Sequence, residues 1–242
     1  MNIEEQIDIL SKSITAARYG KMLRALEFRT RKLTVVLEDI YQPHNAAAAL
    51  RNCDAFGLQE STFIENKYLS RISDDVDMGV SKWLDIHRFI SAQAQVSKVG
   101  ISKKGGVSDI EKDNTRHALT HLKACGYALV ASSLAEESCQ IDDIPVERPL
   151  ALMVGTELTG LTSVALDMAD YVFKIPMLGF AQSFNLSVFT ALSLSNLSTR
   201  MRAKDDSWKI AGADKSELLL KWLKISVSNS EEILANAKRL ER

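Results

Sequence analysis

Cysteine is scarce in this sequence, and long apolar runs are missing. Cys53, Cys125 and Cys139 are odd in number and share no short paired spacing, which argues against a disulfide framework or a thiolate zinc site. No apolar run approaches the roughly 18–20 residues of a membrane span. The opening acids Glu4, Glu5 and Asp8 stand where a signal peptide is basic and then apolar. A soluble, cytoplasmic protein is the expectation. Signatures of common enzymes are lacking too: there is no Walker loop, no Gly-x-Gly-x-x-Gly after a strand and no Gly-x-Ser-x-Gly elbow. His44 and His87 are isolated. His117 and His121 lie one helical turn apart but have no intervening acidic base and no third ligand, so no metal is expected.

Enough apolar residues are present, 46% of 242, to bury a core in one domain or one with helical additions. The net charge of -1 hides a local excess. Between Lys12 and Lys32 there are seven basic residues (Lys12, Arg18, Lys21, Arg24, Arg29, Arg31, Lys32) and one acid, Glu27. Such a cluster suits phosphate neutralisation or the solvated face of a helix equally well. Ile3, Ile7, Leu10, Ile14, Met22, Leu23 and Leu26 recur at near-helical spacing and predict one or two amphipathic helices there.

Short strands are predicted at Leu33–Leu37, Ser61–Glu65, Trp83–Ile90, Tyr127–Ser132, Leu150–Val154 and Tyr171–Ile175. Helices are predicted at Ala46–Ala55, Glu111–Cys125 and Thr162–Ala169, and from the polar cluster at Gln182–Ser187 towards Arg200. Their alternation defines an α/β fold with a mostly parallel sheet covered on both faces, and it places function at the carboxyl ends of the strands. Asp214 and Glu217 suggest a capping box for a final helix carrying Trp222. Asp74, Asp75, Asp77 and Gly79 form an acidic loop, and Lys103-Lys-Gly-Gly106 a surface loop.

Three polar clusters each follow a strand. They are Asn45 with Arg51, Gly155-Thr-Glu157-Leu-Thr-Gly160, and Ser183 with Asn185. Singly each has an ordinary explanation: Asn45 as a helix N-cap, Arg51 as a surface cation, Glu157 as the cap of the helix near Thr162, Gly155 and Gly160 as turn residues. Jointly they are placed to converge on one ligand.

In chain order these clusters resemble the three motifs of the knotted SPOUT-class RNA 2'-O-methyltransferases, the SpoU/TrmH family. Pro43-His-Asn-Ala-Ala-Ala-Ala-Leu-Arg51 with Asp54-Ala-Phe-Gly57 is similar to the first motif. Leu152-Met-Val-Gly-Thr-Glu157 with Gly160-Leu161 is similar to the second, and Ile175-Pro-Met177 through Ser183-Phe-Asn185 and Ser187-Val188 to the third. The similarity spans about residues 20 to 225. Val35-Val-Leu-Glu-Asp-Ile-Tyr-Gln-Pro-His-Asn45 and Met78-Gly-Val-Ser-Lys-Trp83 look closest to the branch that methylates a guanosine ribose in the tRNA D-loop.

The resemblance implies a knotted methyltransferase domain over 33–203, with a C-terminal deep trefoil knot, between helical extensions at 1–32 and 204–242. It implies S-adenosylmethionine held largely by backbone groups at Ser132, Gly155, Ile175 and Phe184, no metal, a tRNA substrate and a homodimer with sites at the subunit interface. It assigns the handling of the ribose hydroxyl to Arg51. Asn45 and Glu157 then orient Arg51 and the motif loops, while Ser183 and Asn185 hold the knot loop and the ribose side. Three features depart from the pattern: Phe184 and Leu186 stand where Leu and Val are usual, the acidic loop replaces a glycine-rich one, and an estimated pI of 6.4 is low for a tRNA binder. Contact with RNA then falls to the basic N-terminal helix and Arg200, Arg202 and Lys204. Two rival readings are the same reaction on ribosomal RNA and a catalytically silent RNA-binding dimer.

Overall fold

Leu33-Thr-Val-Val-Leu-Glu38 has no room for a solvated face, and it forms strand β1 with all six residues buried. A computed structural model describes residues 1–70, 77–96, 109–133 and 138–240. Six further strands are β2 (Glu60–Glu65), β3 (Asp85–Ile90), β4 (Ala128–Ser132), β5 (Cys139–Gln140), β6 (Leu150–Val154) and β7 (Tyr171–Lys174). They pair in the order β3-β2-β1-β6-β4-β7-β5, and every pairing is parallel. β6, apolar and buried throughout, lies between β1 and β4, with Leu33 opposite Leu150 and Leu37 opposite Val154.

Runs this apolar need cover above and below. On one face Val35 and Leu37 pack with Ala49, Leu50 and Cys53 of helix α3 (Pro43–Ala55), and with Leu194 and Leu197 of a long helix at Leu186–Lys204. On the other, Val36 and Met153 pack with Ala118 and Leu119 of a helix at Asp109–Ala124 and with Ala165 of one at Ser163–Met168. With α4 at Ala92–Val96, these last three are α5 (Asp109–Ala124), α6 (Ser163–Met168) and α7 (Leu186–Lys204) in chain order.

The predicted strands and helices appear within a few residues of their expected bounds. β5 was not foreseen, because two residues carry no periodicity. α3 starts three residues early: Pro43 occupies its first turn, where a missing N–H costs nothing. Gln42 therefore holds the N-cap position, and Asn45, expected as a candidate cap, sits inside the first turn.

Residues 1–30 and the chain from Lys209 onward form one compact unit, and residues 31–208 another. The first unit is helical, with α1 (Ile3–Ser11), α2 (Ala16–Leu26), α8 (Gly212–Ser226) and α9 (Ser230–Leu240). Asn2 and Glu5 cap α1 reciprocally. The capping box expected at Asp214 and Glu217 is not there: α8 begins at Gly212, so Asp214 lies in its first turn and favours the helix through the dipole instead. Trp222 is 2% exposed, with the buried Arg29 guanidinium 5.2 Å from its ring centroid. Among the described residues no helix is long and apolar enough to cross a membrane.

The residue that follows β1 is strained. Asp39 adopts φ +52, and its Oδ1 accepts the N–H groups of Asn66 at 2.7 Å and Lys67 at 2.9 Å. Burial raises its pKa, outweighing the two amides that lower it. A raised native pKa means that the folded state holds the proton more tightly, so ionisation weakens folding as pH rises through that pKa.

Two outcomes follow from these environments. Trp222→Ala should lower the unfolding free energy by about 3–5 kcal/mol in urea titration followed by circular dichroism. Asp39→Asn keeps the accepting oxygen and suits positive φ. It should raise Tm near pH 7 and lose that advantage below the ordinary aspartate pKa of about 3.9.

Candidate active site

Because β6, β4 and β7 are neighbours in a parallel sheet, the segments leaving their carboxyl ends meet. They enclose a cavity of about 450 Å³. Ser132 and Ser133 contribute from β4, the loop from Gly155 to Leu161 from β6, and Lys174, Ile175, Met177 and Gln182 to Phe184 from β7; Leu186 and Phe189 of α7 complete it.

The loop after β6 is held tightly on itself. Thr156 N–H donates to the Gly160 carbonyl at 3.1 Å, Gly160 N–H donates back at 2.9 Å, and Thr159 N–H donates to Thr156 Oγ1 at 3.0 Å. Gly160 turns the chain at φ +69. Gly155 is required for a different reason: a Cβ there would lie 2.2 Å from the Gly160 carbonyl carbon. Both glycines are therefore structural necessities of a loop that lines the cavity.

Glu157 does not cap the next helix, since Thr162 caps α6 with its own hydroxyl. Glu157 Oε1 instead accepts from Asn185 Nδ2 at 3.3 Å. Asn185 in turn caps α7, its Oδ1 accepting from Ser187 N–H at 2.9 Å. Asn52 Nδ2 of α3 donates to the Ser187 carbonyl at 2.8 Å and to its hydroxyl oxygen at 3.1 Å. Polar bonds thus join the loop after β6 to the head of α7, and that head to α3. Asn52 carried no signal in the sequence; it was one polar residue in a helical run, distinguished only by what it meets across 135 residues.

Six of the residues singled out from the sequence, Ser132, Gly155, Glu157, Ile175, Ser183 and Phe184, line this one cavity. Asn185 joins them at the edge through Glu157. Asn45 and Arg51 do not line it. Asn45 is buried and donates to Gln42 Oε1 at 3.0 Å. Arg51 lies on the exposed side of α3 with no side-chain hydrogen bond or ion pair among the described residues.

The basic residues expected at an RNA surface are mostly committed elsewhere. Arg29 is buried on Trp222, and Arg31 bridges Glu60 at 2.8 Å and Asp85 at 2.9 Å. Arg200 donates to the Ile141 and Ile144 carbonyls. Arg202 donates to the Phe56 carbonyl and lies 4.3 Å from the Trp208 ring centroid. Lys204 pairs with Glu147, and Lys12 with Asp8. Lys21 and Arg24, on the exposed side of α2, have no such partner among the described residues.

Asp77, expected in the acidic loop, is buried. It accepts the N–H groups of Gly79 and Ser81, both at 2.8 Å. Asp74, Asp75 and the Lys103–Gly106 stretch lie outside the described residues. His117 and His121 pack on the Phe89 ring. Among the described residues no group of three or more His, Cys, Asp or Glu is placed to hold a metal ion.

A cavity at the carboxyl ends of a parallel sheet, walled by a glycine loop and a helix head, stands where α/β sheets place their ligands. Residues 91–195, which contain every residue named as lining that cavity, match the SpoU rRNA Methylase family. Across almost its whole length the chain is 33% identical to the tRNA (guanosine(18)-2'-O)-methyltransferase of Borreliella burgdorferi, with 96% of each protein covered. The chain belongs to the SpoU-type methyltransferase family. The Thermus thermophilus protein with the same functional name is 30% identical over 74% of this chain and 81% of its own. The crystal structure of the A. aeolicus TrmH/SpoU tRNA modifying enzyme matches with a TM-score of 0.68 at 26% identity, covering 87% of this chain and 97% of that one.

The two kinds of glycine in these loops are separable by substitution. Gly155→Ala forces backbone apart and should cost about 1–3 kcal/mol of stability in thermal melts. Gly179→Ala meets nothing within 4 Å and should leave Tm unchanged.

Proposed function

We propose that this protein transfers a methyl group from S-adenosylmethionine to the ribose 2'-hydroxyl of guanosine 18 in the tRNA D-loop. The observation that carries this reading is the near-full-length likeness to the Borreliella burgdorferi enzyme of that name. Likeness confined to the methylase core would leave ribosomal RNA equally favoured, since the motifs specify cofactor and chemistry while the terminal helices choose the RNA.

The cavity fits the donor. Its volume of about 450 Å³ falls in the range of small-molecule sites. Ser132, Gly155, Ile175 and Phe184 are the residues that hold the donor in this reading, with Ile175 and Phe184 as apolar wall. When bound, S-adenosylmethionine supplies a methyl group already activated by a positively charged sulfur. The protein then needs only to align the acceptor oxygen and assist loss of its proton. Arg51 has the chemistry for the second task. As a planar five-donor cation, it acts by binding RNA phosphate and polarising the hydroxyl rather than as a literal base. Asn45 supports the helix that carries Arg51, Glu157 and Asn185 tie the loops together, and Ser183 faces the ribose.

We further infer a cytoplasmic homodimer whose methyltransferase domain carries the family's trefoil knot. Support for the dimer comes from two facts. Leu158, Leu178 and Phe180, on the loops bordering the cavity, are 97%, 98% and 109% exposed, which is costly for side chains worth about 1.5–3 kcal/mol each when buried. Arg51 does not line the cavity of its own chain, and a second subunit offers a way to bring it there. Lys21 and Arg24 on α2, exposed and without a side-chain partner among the described residues, add to Arg51 as cations for RNA phosphate.

Incubation with labelled S-adenosylmethionine and unmodified tRNA and ribosomal RNA transcripts, followed by mapping of the 2'-O-methyl group, tests the reaction. Label at tRNA guanosine 18 is expected; label confined to ribosomal RNA overturns the substrate, and label in neither supports a silent scaffold. Arg51→Ala should abolish transfer while leaving cofactor affinity within a few-fold. Mixing Arg51→Ala with Gly155→Ala, each inactive alone, should restore activity if Arg51 serves the partner's cavity.

A further inference from the structure

Glu38, the last residue of β1, is 2% exposed and plays no part in the roles described so far. Its Oε1 accepts the hydroxyls of Thr115 and Thr162, each at 2.8 Å, and its Oε2 accepts the backbone N–H of Thr162 at 2.8 Å. Thr162 is the cap of α6, its hydroxyl also accepting from Ala165 N–H at 3.2 Å. It is also the residue that follows the loop lining the cavity. That loop is therefore fixed at its start by β6 and at its finish by a carboxylate 124 residues upstream.

We propose that Glu38 is a positioning residue for the methyl-donor site. By gripping Thr162 through backbone and side chain together, it sets where the 155–161 loop stands over the strand ends, and so sets the affinity for S-adenosylmethionine. The inference rests on reading the cavity as the site of that cofactor. Three donors converge on the two oxygens of Glu38, and a carboxylate offers both oxygens as acceptors where an amide offers one. A glutamine turns one acceptor into a donor and leaves a buried N–H or hydroxyl facing it.

The carboxylate has two separable arms. One reaches Thr162 and the loop. The other reaches Thr115 of α5, whose hydroxyl also accepts from Asn66 Nδ2 at 2.9 Å and bonds no residue of the loop among the described residues. A purely structural Glu38 treats the arms alike, whereas a positioning Glu38 does not.

Calorimetric titration of S-adenosylmethionine, gel-shift titration of tRNA and thermal melts on four variants separate the two. Glu38→Gln and Thr162→Val should each weaken the cofactor about tenfold with tRNA affinity unchanged. Thr162→Ser should restore wild-type cofactor affinity. Thr115→Val should lower Tm yet leave cofactor affinity within about twofold. Cofactor binding within about twofold of wild type in Thr162→Val, or equal weakening in Thr115→Val and Thr162→Val, overturns the proposal. Should Glu38→Gln not fold, the threonine pair decides alone. Wild-type protein that binds no S-adenosylmethionine defeats the reading of the cavity itself, a result visible before any variant is compared.

Discussion

The pairing of β6 between β1 and β4 is the constraint on which the rest of the sheet unit depends. Five apolar residues, all buried, can be satisfied only inside a sheet with both faces covered. Once β6 is central and every neighbour runs parallel, the ends of β4, β6 and β7 lie side by side. The loops that leave them have to share space, and the cavity is that shared space. Gly155 and Gly160 then let the middle loop fold back on itself where a side chain would collide or strain.

Several charged side chains of this protein are buried. Glu38, Asp39, Glu65 and Asp77 are all buried; Glu65 pairs with Arg88 at 2.8 Å, and the other three accept backbone amides. Arg29, Arg31, Arg200 and Arg202 are held by a ring, by carboxylates or by carbonyls. A count of basic residues therefore overstates the cations offered to a polyanion, and Asp77 adds less repulsion than its place in the sequence suggests. A buried carboxylate surrounded by N–H groups projects little field to solvent, and an arginine bonded to two carbonyls is not available to a phosphate.

The chemistry implied by the family asks little of side chains, which explains why the site has few reactive ones. A pre-activated methyl group needs alignment, and alignment comes from backbone, glycine loops and the bonds that fix them, such as Glu157 with Asn185 and Asn52 with Ser187. The structural investment is in holding three loops in register rather than in a nucleophile.

The sequence alone determined the alternation of strands and helices, the parallel sheet, and three clusters whose order marks the family. Strand and helix periodicities are local, and glycine, proline and capping residues act within a few positions, so these features are written where they act. Boundaries failed where a neighbouring residue won, as with Pro43 opening α3 ahead of Asn45 and Gly212 opening α8 ahead of Asp214. Tertiary structure alone decided that Asn52 grips Ser187, that Glu38 grips Thr162, that Asp77 turns inward and that Arg51 stays outside its own chain's cavity. Each of these depends on which elements stack, because a side chain's partner across a hundred residues is chosen by packing and not by spacing.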